Sequence, residues 1–153
     1  MKQDKSIRLL AVASCGGHWT QLMRLLPALE QFDTVFISTQ KSNARGLPDK
    51  PYFNVQDCNR KNRWHSVKCF VQMFYRIVSI RPRVIVTTGA APGLMAIIIG
   101  SILGKKTLWI DSIANVERIS MSGRIAQRFA TKCLTQWPVL SDGKFEYKGG
   151  VIS

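Results

Sequence analysis

Short, nearly continuous apolar runs alternate along this chain with longer segments in which apolar side chains recur at helical spacing. Ile7 to Ala13 (IRLLAVA) is of the first kind and stops at Ser14-Cys15-Gly16-Gly17, as a buried parallel strand does where it enters a tight loop. His18 to Glu30 is of the second kind: Leu22, Leu25, Leu26 and Leu29 predict a helix whose last turn is bent by Pro27. Asp33 to Thr39 reads as the next strand. Gln40 to Arg63 is polar, carries Gly46, Pro48 and Pro51, and admits at most a short strand at Tyr52 to Val55. Trp64 to Ile80 places Val67, Phe70, Val71, Phe74 and Ile77/Val78 on one helical face, and Arg81-Pro82 ends it before a strand at Val84 to Thr88.

The alternation continues to the carboxyl end. Gly89 to Gly93 is a small-residue turn, Leu94 to Leu103 a helix that is buried or partly inserted in a membrane, and Lys106 to Ile110 a strand. A helix within Ser122 to Lys132 and strands at Cys133 to Gln136 and Phe145 to Lys148 complete the pattern. Strands separated by helices make βαβ units, so the expected fold is α/β, a single Rossmann-like lobe with a mostly parallel sheet and helices on both faces. No repeat or linker divides the chain, and its 153 residues suit one domain.

Composition narrows the class. Apolar residues make up 46% and charged residues 20%, which excludes a disordered or collagen-like chain. Lysine and arginine number 22 against 9 acidic residues, a net charge of +13, so the expected partner is anionic: nucleic acid, a phosphorylated substrate or membrane headgroups. No acid occurs from residue 58 to 110, a stretch that holds Arg60, Lys61, Arg63, Lys68, Arg76, Arg81, Arg83, Lys105 and Lys106. Cys15, Cys58, Cys69 and Cys133 show no CxxC pair or metal spacing, which suits a reducing cytoplasm and predicts no metal and no cofactor. The longest apolar stretch, Ala90 to Leu103, is too short to span a bilayer and is interrupted by Pro92, Gly93, Gly100 and Ser101, leaving shallow insertion open.

Ligands of open α/β sheets bind beyond the carboxyl ends of the strands, so the turns there carry the candidate chemistry. Ser14-Cys15-Gly16-Gly17-His18 offers backbone N–H groups and a helix N-terminus to an anion, and lacks both GxGxxG and GxxxxGK[ST]. On spacing alone His18 is either a base beside that anion or a surface residue at a helix start. Thr87-Thr88-Gly89 is a second ligand turn or a tight structural one. Asp111-Ser112 puts a carboxylate at a strand end, as a reacting group or as an N-cap or arginine partner.

Taken in order, Ser-x-Gly-Gly-His, Thr-Thr-Gly-Ala-Ala-Pro-Gly, Asp-Ser-Ile-Ala-Asn-Val, Ile-Ser-Met-Ser-Gly-Arg and Gln136-Trp137-Pro138 resemble one family over nearly the whole chain. It is the membrane-recruiting subunit of the two-subunit N-acetylglucosaminyltransferase of asparagine-linked glycosylation, in its bacterial capsule and exopolysaccharide form of the PssD and CpsF type. The resemblance implies the acceptor-side, N-terminal half of a GT-B glycosyltransferase, one lobe that works as a heterodimer with a donor-binding subunit. The implied reaction transfers a sugar from a nucleotide to a polyprenyl-diphosphate-linked saccharide. The family's usual Glu-Ser-x-Ala-Arg-Val appears here as Asp111-Ser112-Ile113-Ala114-Asn115-Val116, which keeps the acid and loses the arginine. Met1 to Ser6 is too short to be the N-terminal anchor of eukaryotic members, so attachment is expected to be peripheral, on the inner face of the cell membrane.

Under this reading His18 is the base and Asp111 its helper. Ser14, Gly16, Gly17, Thr88, Gly89 and Ser112 hold acceptor and phosphate, and Gln136, Trp137 and Pro138 meet the partner, although Trp137 is equally a core residue. Arg81, Arg83, Leu94 and Ile98 face an anionic membrane. The alternative, a basic nucleic-acid-binding module, rests on charge alone, since neither a helix-turn-helix nor an RNP-like strand is present.

Overall fold

A computed structural model describes residues 4–47, 49–58 and 63–151. Met1 to Gln3, Pro48, Arg60 and Lys61 lie outside the described residues. Seven strands pair in the order β3-β2-β1-β4-β5-β6-β7, every ladder parallel. They are β1 (Asp4–Ala13), β2 (Phe32–Ser38), β3 (Tyr52–Asn54), β4 (Val84–Thr87), β5 (Lys106–Ile110), β6 (Lys132–Thr135) and β7 (Phe145–Tyr147). The apolar run of β1 is continuous because both its faces are covered. Leu10 and Val12 join a cluster with Ile85, Met73 and Ile99 on one side, while Leu9, Ala11 and Ala13 meet Trp19, Leu22 and Leu29 on the other.

Helix α1 (Gly17–Arg24) and the single turn α2 (Leu26–Leu29) replace the one bent helix expected from His18 to Glu30. Pro27 has no N–H to give and its ring excludes the carbonyl four residues back, so the ladder breaks at Leu25, whose N–H turns to Leu22 instead. Helix α4 (Ala90–Ile102) begins four residues before the expected Leu94, absorbing the predicted turn, because Pro92 sits in its first turn where no donor is needed. Helix α5 (Met121–Ala126) ends early, in tight bonds from Arg128 to Ile125 and from Phe129 to Ala126.

The larger departure concerns which helix shows apolar surface. α4 spends its side chains on the core: Ala96, Ile97 and Ile99 are buried, Leu94 and Ile98 are half-buried, and Leu94 packs on a cluster with Ile97, Trp109 and Phe145. In α3 (Arg63–Ile80) the core face is Cys69, Met73, Ile77 and Ile80. The stripe of Val67, Phe70, Val71, Phe74 and Val78 marked by the sequence pattern is instead exposed. Among the described residues no helix is long and apolar enough to cross a membrane.

Candidate functional site

β1 and β4 are neighbours, yet the chain leaves β1 toward β2 and leaves β4 toward β5. The two connections part and a crevice opens at the strands' carboxyl ends. His18, the second residue of α1, and Thr88-Gly89, directly after β4, meet across this crevice. The Thr88 carbonyl accepts a hydrogen bond from His18 Nδ1 at 2.8 Å, and Thr88 Oγ1 donates to the His18 carbonyl at 2.7 Å. A carbonyl oxygen only accepts, so Nδ1 carries the ring proton and Nε2 of the neutral imidazole keeps its lone pair. Nε2 makes no hydrogen bond among the described residues. Gly89 allows the close approach: its φ is +120°, and a Cβ there would lie 3.0 Å from His18 Cε1.

His18 forms one wall of an open cleft of about 310 Å³ whose other lining includes Ala90, Ser112, Asn115, Ser120 and Ser122. The far wall, residues 112 to 120, is irregular backbone held by Asp111, which is 1% exposed. Asp111 Oδ1 accepts from Trp109 Nε1 at 3.1 Å and from the Ser120 hydroxyl. Its Oδ2 accepts from Asn115 Nδ2 at 3.2 Å and Ser120 N at 3.0 Å. The Asp111 side chain is thus engaged on both oxygens and holds the loop of the far wall, and among the described residues it makes no hydrogen bond to His18. Asn115, standing where the resembled family carries arginine, still donates to the acid.

Two positioning residues escaped the sequence reading. Gln21, buried on α1, donates from Nε2 to the Asp111 carbonyl at 3.1 Å and accepts from Ile113 N at 3.2 Å, tying helix to loop. Ser120 caps α5 through Gly123 N while bonding Asp111. A polar side chain at a core-facing turn of α1 and a Ser-x-x-Gly before a short helix were the available signals.

The other expected residues divide by location. Gly16 and Gly17 lie exposed where α1 begins without a side-chain cap, beside half-buried Ser14, so this end of the helix is open to a ligand. Ser112 is half-buried and lines the cleft. Gln136 is buried and accepts from Val151 N at 2.9 Å. Half-buried Trp137 donates from Nε1 to the Ile113 carbonyl at 2.9 Å, and Pro138 is exposed. Arg81 and Arg83 precede β4, at the amino end of the sheet opposite the cleft, so they and the cleft lie at different edges.

Over residues 53–151 the chain matches the family described as oligosaccharide biosynthesis protein Alg14 like. It is similar to the UDP-N-acetylglucosamine transferase subunit ALG14 of Mus musculus, with 25% identity over 97% of this chain and 84% of that protein. The Homo sapiens subunit of the same name is 26% identical with the same coverage. Among solved structures it is similar to MurG of Acinetobacter baumannii, with a TM-score of 0.76 at 13% identity over 92% of this chain. A UDP-GlcNAc 2-epimerase from Methanocaldococcus jannaschii gives a TM-score of 0.66 at 15% identity over 84% of this chain. This chain spans 45% of that MurG chain and 39% of that epimerase. The structural likeness shows the fold, a single Rossmann-like lobe of the GT-B kind. Since the family match takes in α3, the Thr88-Gly89 turn, the Asp111 loop and the Gln-Trp-Pro segment, the chain belongs to the Alg14-like family of oligosaccharide biosynthesis proteins.

Proposed function

We propose that this chain is the acceptor-side subunit of a two-chain glycosyltransferase, active in bacterial capsule or exopolysaccharide synthesis. It holds a polyprenyl-diphosphate-linked saccharide at the membrane surface while a separate subunit brings a nucleotide-activated sugar; the named mammalian relatives point to UDP-N-acetylglucosamine as that donor. The observation that carries the proposal is the His18 Nδ1 hydrogen bond to the Thr88 carbonyl, which leaves a basic nitrogen in the cleft at the sheet's switch point.

The chemistry is a direct displacement. The acceptor hydroxyl attacks the anomeric carbon, the bond from that carbon to the diphosphate oxygen breaks, and the nucleoside diphosphate leaves with inversion at the sugar. The hydroxyl proton passes to His18 Nε2, and the imidazolium so formed is steadied by its Nδ1–H bond to Thr88. Gly16, Gly17 and the uncapped start of α1 supply backbone N–H groups to the acceptor phosphate, with Ser14 and Ser112 beside them. Thr88 and Gly89 seat the histidine, and Asp111, through Ser120 and Asn115, shapes the wall against which the acceptor lies. Trp137 and Pro138 support docking of the donor-binding subunit, next to Val139, which is 80% exposed.

The test is His18→Gln in the enzyme reconstituted with its donor-binding subunit. Glutamine keeps the size and hydrogen bonding of the side chain but cannot take up the proton. Turnover falls by about 10²- to 10⁴-fold while the two chains still co-purify; near-normal turnover would place the base elsewhere.

A further inference from the structure

Six apolar side chains of α3 stand outside the core: Trp64, Val67, Phe70, Val71, Phe74 and Val78, from 42% to 77% exposed. At about 100° per residue they fall on one arc of about 120°, flanking the buried face of Cys69, Met73 and Ile77, and they run along about 21 Å of the helix at 1.5 Å per residue. Isolated exposed apolar residues are ordinary, whereas a contiguous stripe of this size marks a binding surface.

Charge selects the occupant. Exposed Arg63 opens the helix, exposed Lys68 stands beside the stripe and exposed Arg81 follows its end, with no acid anywhere from residue 58 to 110. The carboxylate that shares a surface hollow with Val78 and Arg81 is Asp33, and it is ion-paired with Arg8 at 2.7 Å. A second copy seated on the stripe would set these cations against their equivalents with no acid from α3 to separate them. A bilayer of anionic lipid offers what both features need, hydrocarbon for the aromatic and branched side chains and negative headgroups for the lysine and arginines.

We propose that α3 is the surface by which this lobe lies on an anionic membrane, its apolar arc sunk among the acyl chains. This rests on the reading that the acceptor is held in a bilayer, and it places the amino end of α3 at the sheet edge that also holds the His18 cleft. A lipid-tethered diphosphate then reaches the cleft without leaving the surface.

Flotation of the whole chain with phosphatidylcholine vesicles that contain phosphatidylglycerol, against phosphatidylcholine alone, tests this. The wild-type protein floats with the anionic vesicles, and Val67→Ser, Val71→Ser and Phe74→Ser combined lower its recovery by about tenfold. Ile102→Ser, at the 73% exposed end of α4, leaves recovery unchanged. Circular dichroism confirms that the variants fold, and the blue shift of tryptophan emission on vesicle binding disappears in Trp64→Phe. If the triple variant floats like the wild type, membrane attachment stands and α3 is not its site. If the wild type floats with neither vesicle, or is a dimer that the triple substitution dissolves, the proposal is overturned. Turnover of a short-tailed, water-soluble acceptor by the reconstituted pair reads the acceptor-side function separately from either failure.

Discussion

His18 lines the cleft while buried Asp111 lies behind its far wall, and the two side chains are bonded very differently. Four donors from Trp109, Asn115 and Ser120 converge on the Asp111 carboxylate, whereas the His18 ring is bonded through Nδ1 alone among the described residues. Asp111→Asn keeps the shape but turns an NH₂ toward groups that themselves donate, so the variant loses about 1–3 kcal/mol of stability. Its melting temperature drops by about 2–4 °C for each kcal/mol in a domain of this size. Thermal melts of Asp111→Asn and His18→Gln side by side check the division: the first is the less stable protein, the second melts like the wild type and fails in turnover. The strand-end glycines and His18 were legible in the sequence because a strand, a tight turn and a helix follow one another there. The bonds of Gln21 to the Asp111 loop were not, since they join residues 90 and 92 positions apart and only the completed sheet brings them together.

For the elements, α3 shows where periodicity stops being informative. Its sequence carries two apolar stripes, and the bulkier one, with Phe70 and Phe74, is the one that faces outward. What decides the buried face is the shape of the sheet beneath: Cys69, Met73 and Ile77 fit between Leu10, Val35 and Ile85, a match that no local pattern contains. Met73→Ala is therefore expected to cost about 2–5 kcal/mol by opening a cavity, and Val71→Ala, two residues earlier and 59% exposed, to stay within about 0.5 kcal/mol. Urea denaturation of the two variants measures both, and a larger loss for Val71→Ala would reverse the assignment of faces. The break at Leu25 and the early start of α4 have simpler origins in Pro27 and Pro92, and the sequence announced the prolines without showing which way the backbone would resolve them.

On the scale of the whole molecule, the order β3-β2-β1-β4-β5-β6-β7 places a crevice at the carboxyl edge, and the described residues form one lobe beside it. Displacement at an anomeric carbon needs the donor held on the far side of the acceptor hydroxyl, so the isolated chain is expected to show no turnover when offered nucleotide sugar and lipid acceptor. Activity appears on adding the donor-binding subunit; transfer by the chain alone, measured with radiolabelled donor, would contradict the two-chain reading. The sheet also ends on both sides in strands of only three residues, Tyr52–Asn54 and Phe145–Tyr147. On the outer one Glu146 lies between Lys132 and Lys148, at 3.1 and 3.4 Å. Such short, charged borders present almost no free backbone ladder to another chain, so the lobe resists edge-to-edge aggregation. A protein that joins it would find only three residues of backbone to pair with at either border, so side chains and helix faces offer the larger grip.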